Sequence, residues 1–123
     1  MGTPSAAQAE SFFREVLERE SVWTIRDEGG IPAPENAGGV RAMPFWSLRS
    51  RAQKIIDTVP AYAEFEPQEI PLDVFRDRWL TGLARDGLHL GINWSGASAT
   101  GYDLPPAEAT ARLDAEPPTE GQR

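Results

Sequence analysis

The sequence predicts an α+β domain: a mainly antiparallel sheet of about five strands with helices packed chiefly on one face. Three observations predict it. Stretches with helical spacing are mixed with short β-branched and aromatic stretches along the chain, in the order helix, hairpin, helix, strand, helix, hairpin, helix. Leu88, Leu90, Ile92 and Trp94 alternate with His89, Gly91 and Asn93, which marks a strand with one buried face. The length of 123 residues and the apolar share of 40% suit one globular core, placed here at residues 5–114 with flexible ends at 1–4 and 115–123.

Each element has its own signal. Ser5 and Gln8 have capping-box spacing before a helix to about Glu20, with Ala9, Phe13, Val16 and Leu17 on one face. Ser21 to Asp27 reads as a strand because Val22, Trp23, Thr24 and Ile25 are β-branched or aromatic. Residues 29–39 form a loop with Gly29-Gly30 and Gly38-Gly39 at its ends, joining two antiparallel strands. The second strand, Val40 to Phe45, carries Pro44, an edge signal. Ser47 caps a helix through about Thr58 that Pro60 stops.

A short strand from Phe65 to Ile70 carries Pro67, again an edge signal. Leu72 to Arg85 is the clearest helix: Phe75, Trp79 and Leu83 recur every fourth residue and Gly87 ends it. After the strand from Leu88 to Trp94 and a turn, Thr100 to Asp103 returns as a fifth strand. Pro105-Pro106 then opens a last helix to about Leu113.

Composition removes several functions. The chain has no Cys, so disulfide and thiolate chemistry is excluded. The start lacks a signal-peptide pattern and no apolar run approaches a membrane span, so the expectation is a cytoplasmic protein without membrane contact. A net charge of −7 opposes nucleic-acid binding, which needs a basic face.

Catalytic signatures are also missing. No Gly-x-Ser-x-Gly elbow accompanies the single His, His89. One His and no EF-hand spacing leave no metal site, and Asp27-Glu28 before two glycines is turn chemistry. The glycines of residues 29–39 lack the Lys-Ser or Lys-Thr of a phosphate loop. No catalytic residue and no cofactor is expected.

Charge and aromatics point to binding. Arg41, Arg49, Arg51 and Lys54 form a stretch without acids, whereas Glu64, Glu66, Glu69, Asp73 and Asp77 crowd another. Such segregation favours oriented contact with a charged partner or with a second copy. Trp46 beside a helix start is the kind of aromatic that interfaces use. An open sheet face bearing Thr24, Arg26, His89 and Asn93 is expected, and Arg26 with Arg41 would hold an anion there. The candidate binding residues are thus Arg26, Arg41, Trp46, His89 and Asn93.

Val22-Trp23-Thr24-Ile25-Arg26-Asp27-Glu28-Gly29, Met43-Pro44-Phe45-Trp46, Phe65-Glu66-Pro67-Gln68-Glu69-Ile70 and Phe75 through Gly87 together resemble the bacterial domain of unknown function 2750, over roughly Phe12 to Trp94. The element order, with Leu104 to Glu108 as a Leu-Pro-Pro-Ala-Glu final helix start, is also similar to the N-terminal domain of the enhanced-serine-sensitivity family. Neither resemblance implies an activity, a cofactor or a site residue. The expected function is a non-enzymatic domain that binds a protein partner or forms a homodimer. The alternative is a small-molecule or peptide binder, conceivably a weak enzyme, using the open face beneath residues 29–39.

Overall fold

The structure, a computed structural model, describes residues 4–35, 38–96 and 100–115. Of the ends expected to be flexible, 1–4 and 115–123, residues 1–3 and 116–123 lie outside the described residues, whereas Pro4 and Ala115 belong to helices. Helix α1 (Pro4–Arg19) buries Ala9, Phe12, Phe13 and Val16, the three-to-four-residue spacing of one helical face. It ends where Glu20 turns left-handed, with φ of 57°, and its N–H reaches Val16 O at 2.8 Å. The helix begins at Pro4, ahead of Ser5, and the Gln8 amide that was expected to cap it donates to Asn93 O on β4.

Strands β1 (Ser21–Arg26), β2 (Ala42–Phe45), β3 (Glu66–Pro71), β4 (His89–Ser95) and β5 (Thr100–Leu104) make two sheets, not one. β1 pairs antiparallel with β3, while β2, β4 and β5 form a three-stranded sheet in which β2 and β4 run parallel. This corrects the single, mainly antiparallel sheet and the β1–β2 hairpin. β1 and β2 meet at one bridge only, where Trp23 and Trp46 exchange two backbone hydrogen bonds, each of 2.7 Å. Beyond it the ladder stops: Pro44 has no N–H to give, and its carbonyl accepts from Thr24 Oγ1 at 2.7 Å instead. The edge signals of Pro44 and Pro67 fit, since β2 and β3 each border a sheet.

Helix α2 (Arg49–Thr58) follows β2, and a 3₁₀ turn (Pro60–Tyr62) follows α2. Its first flanking residue is Leu48, without a side-chain cap, so Ser47 is not the expected N-cap. A continuous helical run follows β3 and comprises α3 (Leu72–Val74), a π-helical turn (Phe75–Trp79) and α4 (Leu80–Asp86). Gly87, left-handed at φ 71°, closes it as expected. Helix α5 (Pro106–Ala115) ends the described chain.

Two apolar clusters hold these elements. One joins α1, the α3–α4 run and α5 to Val22, Phe45, Ile70, Leu90, Ile92 and Leu104. Phe45 packs edge-to-face on Phe75 at 5.1 Å and on Trp79 at 6.0 Å. Burying each such ring stabilises by about 1.5–3 kcal/mol, and a ring pair adds about 0.5–1.5 kcal/mol. The second cluster lies on the other side of the strands and joins α2 to Ile25, Ala42, Trp46 and Trp94. That side is therefore covered by α2 and is not an open face.

Candidate functional site

Polar chemistry converges where α1, α2 and the end of β4 meet. β4 carries a bulge there: between the pairs Ile92–Tyr102 and Ser95–Thr100, two residues of β4 oppose one of β5. Asn93 occupies it with φ of 47°, a left-handed conformation that Asn tolerates better than most residues. The extra residue reverses the alternation. Leu90 and Ile92 point into the first cluster, but Trp94 lies in the second.

Trp94 then lies flat against backbone. A Cβ on Gly91 would sit 2.2 Å from its ring, and one on Gly101 would sit 3.0 Å from it. Glycine is required at Gly91 because the indole occupies the place of a side chain. The indole N–H of Trp94 donates to Asp103 Oδ1 at 2.8 Å, and that of Trp46 donates to Trp94 O at 2.9 Å.

Asn93 itself is 3% exposed, and Ser47 and Trp46 are fully buried. The Ser47 N–H donates to Asn93 Oδ1 at 3.0 Å, and Asn93 Nδ2 donates to Ser47 Oγ at 3.2 Å. Ser47 Oγ donates to Glu15 Oε1 at 2.6 Å, and Arg51 pairs with the same carboxylate at 3.1 Å. Gln8 Nε2 donates to Asn93 O at 2.7 Å. Burial pushes the Glu15 carboxyl up. The hydrogen bonds from Ser47 and Arg51, with the charges of Arg51 and Arg14, outweigh that and hold it below its ordinary value of 4.5. The set is a clasp between α1, α2 and β4. Its hydroxyl is sealed from solvent, so it offers no accessible nucleophile.

The five candidate residues are only partly brought together. Trp46 and Asn93 join the clasp, with their polar atoms spent inside the domain. Arg26 is exposed at the far end of the β1–β3 pair, opposite Glu66. Arg41 is exposed, and its Nε donates to Ala33 O at 2.9 Å. His89 is half-buried, with its backbone N–H on Arg41 O at 2.9 Å. The expected shared face does not form: Thr24 is fully buried. It and Arg26 follow the alternation of Val22 into the first side, whereas His89 alternates with Leu90 onto the second. Gln8, Glu15, Ser47, Arg51 and Trp94 were not among the sequence candidates. No local pattern singles them out in the sequence: the left-handed backbone at Asn93 that draws them together lies in a stretch that alternates like a regular strand.

At the surface, charge is segregated. The outer side of α2 forms an open groove of about 550 Å³ lined by Arg49, Ser50, Gln53, Lys54, Asp57 and Thr58. The Arg49 guanidinium lies 6.0 Å from the Trp23 ring centroid. The turn after β1 and the start of β3 form another groove of about 640 Å³, where Asp27, Glu28, Glu64 and Glu66 surround Arg26. Among the described residues, no group of three or more His, Asp or Glu side chains converges to hold a metal ion. No helix among them is long and apolar enough to cross a membrane.

Comparison with known proteins gives a family and one distant structure. The family model described as protein of unknown function (DUF2750) matches residues 9–113, which extends beyond Trp94 into α5. No curated protein matches the chain. Among solved structures, Anabaena Tic22 (protein transport) is 18% identical with a TM-score of 0.41; the match covers 66% of this chain and 44% of that one.

Proposed function

The chain belongs to the DUF2750 family, and because that membership names no reaction, we propose from its surface that it is a non-enzymatic, cytoplasmic interaction domain, binding a partner protein or a second copy of itself. The observation that carries this reading is the separation of charge. Arg49 and Lys54 stand on the outer side of α2, and Asp27, Glu28, Glu64 and Glu66 gather at the β1–β3 end. Complementary potentials orient a partner and speed encounter even where each pair contributes little affinity. Trp23 supports the same reading: half-buried under Arg49, it offers an aromatic anchor beside the basic strip. The buried clasp, by contrast, serves to fix α2 on the strands so that its charged side is presented rigidly.

The test uses the full chain and a double reversal, Arg49→Glu with Lys54→Glu. Light scattering after size exclusion, at low and high salt, reads self-association. Quantitative comparison of proteins retained from the native cytoplasm by each form reads partners. Expected is a complex, with itself or with a partner, that salt weakens and the reversal removes. A monomer under every condition, with the two forms retaining the same proteins, refutes the proposal.

A further inference from the structure

A third groove, apart from the two charged ones, has features that the fold alone does not account for. It lies between β2 and α4, holds about 220 Å³, and is lined by Met43, Arg78, Trp79, Gly82, Leu83, Asp86 and Leu88. Its floor is apolar: Leu83 is buried, and Met43, Trp79 and Leu88 are half-buried. Trp79 stands at the end of the π-helical turn. Such turns are uncommon and concentrate at functional sites, because the extra residue redirects the side chains that follow.

Gly82 is the more telling residue. It sits inside α4, where glycine is less favourable than alanine because it loses more backbone freedom on folding. Its backbone is not left-handed, and a Cβ added there would meet only the tip of Arg85, at 3.7 Å. Packing therefore does not demand glycine. What glycine does there is keep the groove empty. At the rim, Asp86 is engaged by Arg85 at 3.2 Å, whereas the Arg78 side chain is exposed and makes no ion pair or hydrogen bond among the described residues.

We propose that this groove binds a small aromatic carboxylate: one ring against Trp79, Met43 and Leu88 in the space Gly82 leaves, and its carboxylate on Arg78. The ligand class follows from size and charge. The volume falls below the roughly 300–1,000 Å³ of sites for drug-sized molecules, which restricts the occupant to about one ring. The unpaired guanidinium selects an anion, and its planar donors suit a carboxylate.

The experiment is an NMR titration of the ¹⁵N-labelled full chain with phenylacetate, and with 2-phenylethanol as the uncharged analogue. Saturable shifts are expected at the Gly82 amide, the Trp79 indole N–H and Leu88. The alcohol should bind about threefold to fivefold more weakly, the range of an exposed ion pair, and Arg78→Ala should erase that difference. Gly82→Ala should melt about 2–6 °C higher, since it removes a helix-interior glycine. It should bind phenylacetate about tenfold more weakly, because one methyl enters a small apolar space. Gain of stability with loss of binding separates this site from a residue that merely supports the fold. The proposal is overturned by shifts that do not saturate or that lie elsewhere. Equal binding of acid and alcohol overturns it as well, as does a Gly82→Ala chain that melts lower than the parent.

Discussion

Replacing Asn93 tests the clasp at its centre. Its carboxamide does two separable things. The backbone holds φ of 47°, which costs an L-residue without a local polar side chain about 1–2 kcal/mol. The Oδ1 accepts the buried Ser47 N–H at 3.0 Å, and leaving such a donor unsatisfied costs about 1–3 kcal/mol. Asn93→Ala loses both and should destabilise by about 2–5 kcal/mol, taking those two ranges as additive. Asn93→Gly relieves the backbone and loses only the carboxamide's hydrogen bonds with Ser47, which alanine loses too, so it should be milder than alanine by about 1 kcal/mol. Urea unfolding followed by far-UV circular dichroism measures both, with equal m-values confirming an unchanged transition. If alanine is as stable as glycine, the left-handed bulge is not what Asn93 is there for. If both cost under about 1 kcal/mol, the Ser47 N–H does not depend on Oδ1.

Three further outcomes follow from the same geometry. The folded state holds the Glu15 carboxyl below its ordinary 4.5, so its contribution to stability is present above that pH and is lost as pH falls through the lowered folded value; Glu15→Gln should flatten that acid limb in urea titrations from pH 7 to pH 3. Gly91→Ala places a methyl 2.2 Å from the Trp94 ring; it should cost about 1–3 kcal/mol and alter near-UV circular dichroism, as the indole is forced off its seat. Pro67 and Pro71 share the parity of Glu69, whose backbone faces away from β1, because the Leu72 N–H bonds Glu20 O and so fixes which residues face inward. Converting both prolines to Thr gives the free edge of β3 two new donors and should cause concentration-dependent association by light scattering, where the parent edge resists it.

What the sequence made legible depended on whether a signal was local. The α4 stop at Gly87 and the edge character of Pro44 and Pro67 each rest on one residue's backbone chemistry, and each is present in the structure. Pairing was different. The neighbour of β1 is β3, whose residues pair with it from Ser21–Pro71 to Arg26–Glu66, and no local pattern distinguishes that from a hairpin with β2 across residues 29–39. The parallel β2–β4 pair is equally non-local.

The site was hidden for a related reason. Leu88 to Trp94 alternates without a break in the sequence, so it read as a regular strand with one face throughout. The bulge at Asn93 sends Trp94 to the opposite side from Ile92, and only Gly91 and Gly101, as a flat seat, make that possible. Gln8 and Ser47 were misread because a Gln or Ser near a helix start has a local use, the cap. Here Gln8 reaches Asn93 O on β4, and the Ser47 hydroxyl engages Glu15 on α1 and Asn93 on β4, so α2 starts without a side-chain cap. A cap residue whose side chain is drawn away leaves its helix end less favourable by about 1 kcal/mol. The clasp must therefore return more than that through Asn93, Glu15 and Arg51. That requirement is what makes the buried pair Ser47–Asn93, and not the exposed Arg51–Glu15 bridge, the part of the clasp on which the placement of α2 depends.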